Sequence, residues 1–297
     1  MRAAAIFGPV SSIKDLKPFQ KNSEAAWLVD LPRSADQADA ILVFGGDGTV
    51  HRHLAQLVKL QLPVLVVPCG SGNDFANALS LRSFRIALAA WLKFCSGGGN
   101  VRMIDLGVIT PLIADRRVAA ELPVPHYFCC VGGVGLDAEI SRRANRLPRW
   151  LRASGGYALS LLLALWRFAP VATTLALPGV ENPDVLVSRN TQATIVTAFA
   201  NAPSYGGGMK IAPQAQLDDG RLDVCVIRQI NKFKLLCLFP TVYFGGHLSI
   251  PQVEYFQTER LKIETEAPQD VYADGEYVCR TPIEVSVARK ALRVIVP

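Results

Sequence analysis

The sequence predicts an α/β domain followed by a mainly β domain, and three features carry that prediction. The apolar runs Ala40–Phe44 and Pro63–Pro68 each end in a glycine-rich turn that leads into a helical pattern, as the strands of a parallel βα sheet do. A glycine run, Ser96-Gly97-Gly98-Gly99-Asn100, then interrupts the chain as a hinge signal. Beyond it, short stretches rich in Val, Ile and Thr alternate with Gly, Pro and Asn, which is the composition of strands and turns. The boundary is placed near residue 102, with residues 1–102 in the first domain, 103–286 in the second, and 287–297 able to return to the first. At 297 residues, half of them hydrophobic, the chain can bury a substantial core in each.

Each element follows from local pattern. Met1–Phe7 is apolar but stops at Gly8-Pro9, too soon for the apolar centre of a signal peptide, and reads as the first strand. Gly8–Ser12 makes a small-residue loop, and Leu31–Asp39 leaves room for about two helical turns. After the strand Ala40–Phe44 a helix begins near Val50, with Thr49 as its cap. Phe84, Ala87, Leu88, Trp91 and Leu92 recur at i, i+3, i+4, i+7 and i+8, the spacing of an amphipathic helix lying on a sheet. In the second domain the candidate strands are Met103–Ile109, Tyr127–Val131, Ala193–Ala200, Leu222–Ile227, Leu261–Thr265 and Ile283–Val287, and Leu292–Val296 is a closing strand open to either domain. No internal repeat or low-complexity segment is visible.

The two glycine junctions carry the chemistry. In Gly45-Gly46-Asp47-Gly48-Thr49 the glycines allow a tight turn that brings bare N–H groups against an anion at the start of a helix. Asp47 would repel a phosphate unless a cation or a donor intervened, so the arrangement implied is phosphate on the amides with Asp47 tied to Mg2+. Alone, the string is also a plain Asp-Gly turn. The second junction, Gly70-Ser71-Gly72-Asn73-Asp74-Phe75, shifts the balance, because two glycine-rich strand ends from neighbouring βα units converge on one edge of a parallel sheet, where open α/β sheets bind ligands.

These motifs resemble the catalytic domain of diacylglycerol and related lipid kinases, a family that includes sphingosine and ceramide kinases. The likeness continues through Ile104-Asp105-Leu106, Gly132–Ala138, Asn201–Gly208, Ile211–Ala215, Asp219–Val224 and Asp274-Gly275-Glu276, in the family's order and over almost the whole chain. The resemblance implies a three-layer α/β nucleotide-binding domain of the kind shared with NAD kinases, a sandwich-like β domain, and transfer of the γ-phosphate of ATP to a lipid hydroxyl. It places nucleotide on the backbone of Gly45, Gly46, Asp47, Gly48 and Thr49 and of Gly70, Ser71, Gly72 and Asn73, with Asp47 also catalytic. It puts Mg2+ in a partly water-mediated network of Asp47, Asp74, Asp105 and Asp219, the last joined by the main-chain carbonyls of Gln216 and Arg221, with Asp218 as a competing register. Glu276 falls at the position of the general base that takes the proton of the attacking hydroxyl. An NAD kinase-like enzyme shares the first glycine motif but not the second, and a regulator that kept the fold without catalysis would be marked by loss of Asp47 or Glu276, both of which are present.

Charge bounds the partners. The net charge is +6, and Arg142, Arg143, Arg146, Arg149, Arg152 and Arg167 occur in a stretch with no acidic residue from Ile140 to Val180. Tyr157–Trp166 beside them is apolar but shorter than the roughly twenty residues that span a bilayer. It reads either as a buried helix flanked by a solvated basic face or as a peripheral contact with anionic membrane, with Leu147, Trp150 and Leu151 dipping into the interface. Nucleic acid is set aside because no aromatic-interleaved recognition motif accompanies the charge. The seven cysteines form no CxxC pair and suit a cytoplasmic protein, here one peripheral to the inner face of the membrane. Zinc is set aside because His51 and His53 are spaced to different sides of a helix. The oligomeric state is left open, a homodimer being one option.

Overall fold

The computed structural model describes residues 1–113, 124–136, 138–140, 142 and 168–297. The chain divides into two compact units, Met1–Leu106 with Ala288–Pro297, and Gly107–Val287.

The first unit is a parallel sheet with helices. Its strands are β1 (Arg2–Phe7), β2 (Ala26–Val29), β3 (Ala40–Gly45), β4 (Val64–Pro68), the first part of β5 (Val101–Pro111) and the last part of β16 (Ile283–Ile295). The order β2-β1-β3-β4-β16 is parallel at each pairing, with Ala3 opposite Ala40, Ile41 opposite Val64 and Val64 opposite Val294. Every residue of β3 is buried, as a strand covered on both faces requires. Helices α1 (Ile13–Lys21), α2 (Asp47–Leu60), α3 (Asp74–Ala78) and α4 (Phe84–Cys95) complete the unit. Ser12 and Asp15 cap α1 reciprocally, and Ser83 caps α4 through the Ile86 amide. Phe19 is fully buried, its ring edge-on to Phe44 at 5.2 Å and to Phe84 at 5.4 Å, so an aromatic cluster ties α1 and α4 to β3.

The second unit is antiparallel. Its backbone order is β15-β14-β7-β10-β8-β13-β16, from β7 (Val131–Gly135), β8 (Val171–Pro178), β10 (Gln192–Ala200), β13 (Arg260–Thr265), β14 (Asp270–Ala273), β15 (Glu276–Arg280) and the start of β16. Strand β10 forks: Val196–Ala200 pair with β7, Gln192–Thr194 with β8, and the other edge takes β11 (Leu222–Arg228), which pairs onward with β12 (Val253–Thr258). Short strands β6 (His126–Phe128) and β9 (Leu186–Ser188) pair with β5 and β8, and one helix, α5 (Lys232–Leu238), follows β11. The core is built on Phe128, Phe199, Val224, Leu261, Ile263, Val271 and Val285, all buried. The α/β plus β class read from the sequence is the class observed.

Several local expectations are corrected. The segment Leu31–Asp39 forms only a single turn, Ala35–Gln37, because Pro32 and the extended Ser34 and Ala38 leave nothing for a longer helix to build on. Thr49 is not the cap of α2; the helix starts at Asp47 with Gly46 as its N-cap, and Thr49 lies buried inside the first turn against Gly8 and Gly45. Tyr127–Val131 is two strands broken at Cys129-Cys130, whose amides are taken by a side chain described below. Ile283–Val287 and Leu292–Val296 belong to one long strand, whose exposed Arg289 and Lys290 look like a loop in sequence. Strands β2, β8 and β12 carry no clear alternation and were not expected.

Phe19→Ala removes the shared ring of the aromatic cluster and should lower unfolding free energy by about 3–5 kcal/mol. Equilibrium urea denaturation measures it, and a loss below about 1 kcal/mol would show that the cluster does not hold α1 to the sheet.

Candidate active site

In the first unit the two glycine junctions meet backbone to backbone. A Cβ built on Gly46 would lie 3.0 Å from the Cα of Gly70, and one on Gly70 would lie 2.6 Å from the Cα of Gly46. A side chain at Gly70 would force the loops apart, and one at Gly46 would press tightly on Gly70, which explains glycine at this contact without invoking turn geometry. The contact is fixed from both sides. Asn73, in the left-handed region at φ 55°, accepts from the Gly70 amide through Oδ1 at 2.8 Å and donates to the Gly70 carbonyl through Nδ2 at 2.7 Å, closing the loop Gly70–Asn73 on itself. Asp47 reaches across from the first turn of α2 and accepts from the amides of Asp74 at 3.1 Å and Phe75 at 3.0 Å, capping α3 with a carboxylate.

A third loop joins them. Ser11 donates to the Phe44 carbonyl at 2.6 Å and accepts from the Gly8 amide at 2.9 Å, so the loop after β1 is tied to the end of β3. The ends of β1, β3 and β4 thus stand together at the carboxyl edge of the sheet, where the N-terminus of α2 presents backbone N–H groups and a positive dipole end. The amides of Gly48, Ser71 and Gly72 have no backbone partner outside the helices among the described residues. This is a frame suited to holding an oxyanion.

The acidic residues expected around Mg2+ have identifiable partners. Asp105, buried in β5, accepts from the Lys290 amide at 2.6 Å, where β16 passes through a left-handed residue at φ 51°. Asp74 is buried at the start of α3. Among the described residues no three His, Cys, Asp or Glu side chains are grouped to hold a metal ion. Asp47 and Asp105 are engaged with backbone amides, and Asp74 is packed at the start of α3.

In the second unit Asp219 precedes β11 and accepts from the Arg221 amide at 3.0 Å, a local turn, with Asp218, Gln216 and Arg221 exposed beside it. Asp223, which the sequence reading left without a role, is fully buried in β11. It accepts from the Tyr255 hydroxyl at 2.5 Å and from the Gln257 amide at 3.3 Å, and that same amide reaches Asp219 at 3.5 Å. Burial pushes the Asp223 carboxyl above its ordinary value, opposed by those donors and reinforced by the Asp219 charge. Burial and the bond to Asp223 raise the Tyr255 hydroxyl as well. The Gln257 amide thus bridges two carboxylates, Asp219 exposed before β11 and Asp223 buried within it. The only advance signal for Asp223 was a carboxylate in an otherwise apolar strand, Leu222–Arg228.

Asp274 and Glu276 differ sharply. The Asp274 carboxylate accepts from the Cys129 and Cys130 amides, both at 2.8 Å, while Asp274 at φ 51° and Gly275 at φ 84° make the left-handed turn of the β14–β15 hairpin. Glu276 is exposed at the first position of β15, with no side-chain hydrogen bond among the described residues. The clamp on Asp274 thus orders the turn from which exposed Glu276 begins β15.

The second unit also holds a small apolar pocket of about 60 Å3, lined in part by Leu136, Val196, Met209, Leu235, Phe239 and Val242. His247 is buried in its wall, its Nε2 3.1 Å from the Ile211 carbonyl. A carbonyl only accepts, so Nε2 carries the proton; burial keeps the ring neutral by lowering its pKa.

Of the basic residues expected to meet membrane, Arg142 is paired with Glu139 through a two-pronged hydrogen bond at 2.8 Å. Arg143, Arg146, Arg149, Arg152 and Arg167, with Leu147, Trp150, Leu151 and Tyr157–Trp166, lie outside the described residues. No helix among the described residues is long and apolar enough to cross a membrane.

Two family models together cover most of the chain. The family model of the diacylglycerol kinase catalytic domain matches residues 15–109, and that of the YegS C-terminal NAD kinase beta sandwich-like domain matches residues 131–296. The chain belongs to this family of lipid kinases, and it is a lipid kinase enzyme. It is 33% identical over 263 residues to a diacylglycerol kinase of Mycobacterium tuberculosis, covering 89% of this chain and 78% of that one, and 25% identical over 261 residues to a diacylglycerol kinase of Bacillus subtilis, covering 87% and 78%. Among solved structures, a diacylglycerol kinase from Bacillus anthracis superposes with a TM-score of 0.66 at 15% identity, covering 100% of this chain and 97% of that one. An NAD kinase from Archaeoglobus fulgidus in complex with ATP superposes at 0.53 and 14%, covering 100% and 93%. The last two show the fold.

Two outcomes are expected from this geometry. Asp47→Ala removes a charge-assisted cap worth about 1.5–3 kcal/mol per bond in favourable cases and should lower the melting temperature measurably, whereas Asp47→Asn, which keeps one acceptor, should lose less. For His247 the folded pKa is depressed, so its contribution to stability is present above about pH 6.5, the unfolded value, and is lost as pH falls below it. Urea midpoints measured between about pH 8 and pH 5 should fall in the native chain and fall less in His247→Gln.

Proposed function

We propose that the chain transfers the γ-phosphate of ATP, with Mg2+, to the hydroxyl of diacylglycerol or a related lipid alcohol at a membrane surface. The observation that carries this reading is the Gly46–Gly70 contact locked by Asp47 and Asn73, found in a chain 33% identical to a protein named diacylglycerol kinase.

Phosphoryl transfer asks little covalent chemistry of a protein; it asks for positioning and for charge stabilisation. In this reading the backbone of Gly45–Thr49 and Gly70–Asn73 binds the nucleotide phosphates. Asp47 then acts as a positioning residue, keeping the second loop where its amides serve the phosphates, since its carboxylate is engaged with the Asp74 and Phe75 amides. Asp219, with the carbonyls of Gln216 and Arg221 and with Asp223 behind it, is the set that would hold Mg2+, and bound Mg2+ would neutralise phosphate charge. Asp74 and Asp105 support the fold of the first unit around that chemistry. Glu276, exposed and carried on a clamped hairpin, accepts the proton of the lipid hydroxyl. The apolar pocket of the second unit suits an aliphatic chain and offers little to a dinucleotide, which favours a lipid acceptor over NAD.

Glu276→Gln should lower labelled γ-phosphate transfer into diacylglycerol mixed micelles by about 10^2–10^4-fold, the range of a lost general base, with ATP affinity and melting temperature unchanged. Transfer to NAD instead of lipid, or native turnover in Glu276→Gln, would overturn the assignment.

A further inference from the structure

The segment after β11 presents an exposed apolar exterior. From Val224 to Val253 the chain contains no acidic residue, while Arg228, Lys232 and Lys234 are basic. Within it, α5 has two apolar sides. Leu235, together with Phe239 just beyond the helix, lines the apolar pocket, and Phe233, Leu236 and Cys237, on another face at i, i+3 and i+4, are exposed. Phe233 is 71% exposed, and Phe244, in the turn that follows, is 86% exposed with Tyr243 beside it. Lys232 and Lys234 flank the outward face on either side, and Lys210, exposed, is bound through its amide to the Val242 carbonyl of the same turn.

We propose that this face, Phe233, Leu236, Tyr243 and Phe244 rimmed by Lys210, Lys232 and Lys234, is the surface by which the second unit docks on an anionic lipid bilayer. Exposed aromatic side chains insert at the headgroup boundary, and flanking lysines hold their stems along the apolar layer while their ammonium groups stay with the phosphates. Charge selects the occupant. A second copy of the chain would set lysines against lysines, whereas anionic headgroups complement them; the nearby acids Glu139 and Glu254 are paired with Arg142 and Arg189. The surface is also continuous with the pocket, because Leu235, Phe239 and Val242 come from the elements that carry the exposed residues. The inference rests on the lipid-kinase reading only for what the bilayer supplies. It differs from the arginine-rich contact expected from the sequence, which lies elsewhere in the chain.

Vesicle binding tests it without any turnover. The full chain is sedimented with phosphatidylcholine vesicles, with and without phosphatidylglycerol, alongside Phe233→Ser, Phe244→Ser and the double variant Lys232→Glu/Lys234→Glu. The native chain should bind the anionic vesicles preferentially. Each Phe substitution should weaken binding about tenfold, and each lysine reversal at least about fivefold. Because these side chains are exposed, melting temperatures should not move. In a Phe244→Trp variant, brominated lipids should quench the new emission over the native background. No vesicle binding, binding unchanged in all three variants, absence of added quenching, or a concentration-dependent dimer abolished by Phe233→Ser would each overturn the proposal. Failure of lipid phosphorylation with vesicle binding intact would count against the enzymatic reading alone.

Discussion

The contact between the Cα atoms of Gly46 and Gly70 is the constraint on which the nucleotide end of the molecule depends. Two strand-to-helix loops approach so closely here that a Cβ at Gly70 would sit 2.6 Å from the Gly46 Cα, and one at Gly46 would be in tight contact with the Gly70 Cα at 3.0 Å. Close backbone approach alone is weak. Here it is held by Asn73, which saturates the Gly70 amide and carbonyl, and by Asp47, which binds the two amides that open α3. The donors that would meet a phosphate are thus ordered by bonds inside the protein, which removes reorganisation from the binding step.

The same device recurs in the second unit. Asp274 grips the Cys129 and Cys130 amides as Asp47 grips those of Asp74 and Phe75, and in both cases a carboxylate from one loop fixes the start of another. Asp105 makes a comparable carboxylate-to-amide bond between strands, from β5 to Lys290 in β16. Charge-assisted bonds to backbone are about twice as strong as neutral ones. Acidic residues in motif positions are here largely the fastenings of flexible glycine turns.

Legibility followed the length scale of the interactions. Buried strands such as Ala40–Gly45, and the helix Phe84–Cys95, were visible because each is set by its own periodicity. The glycine motifs were legible as loops on one edge, since strand-turn-helix order dictates it. What sequence did not show was which partner each polar group takes. Thr49 looked like a cap because it precedes an apolar run, yet the backbone turned three residues earlier, where Gly46 permits it. Asp223 was hidden because its significance depends on Tyr255 and Gln257 from β12, a strand with no alternation to announce it. Strand β2 was missed for the opposite reason: it is an edge strand, held by pairing to β1 and largely exposed.

This pattern changes how loss of activity should be read. An acid that clamps backbone loses function on mutation because loops move, so Asp47, Asp105 and Asp274 would register as essential whether or not they touch a reacting atom. Glu276 is free of that ambiguity. It is exposed, it begins a strand whose register is set by Asp270–Ala273 pairing, and no hydrogen bond of the fold runs through its side chain among the described residues. The turn that precedes it supplies the rigidity, and the carboxylate itself supplies none. Asp274-Gly275 takes the left-handed pair that Asp-Gly hairpin turns favour, so what sets this turn apart is the two-amide clamp on Asp274. The clamp orders the backbone from which β15 starts and leaves the Glu276 carboxylate outside the hydrogen bonds of the fold among the described residues.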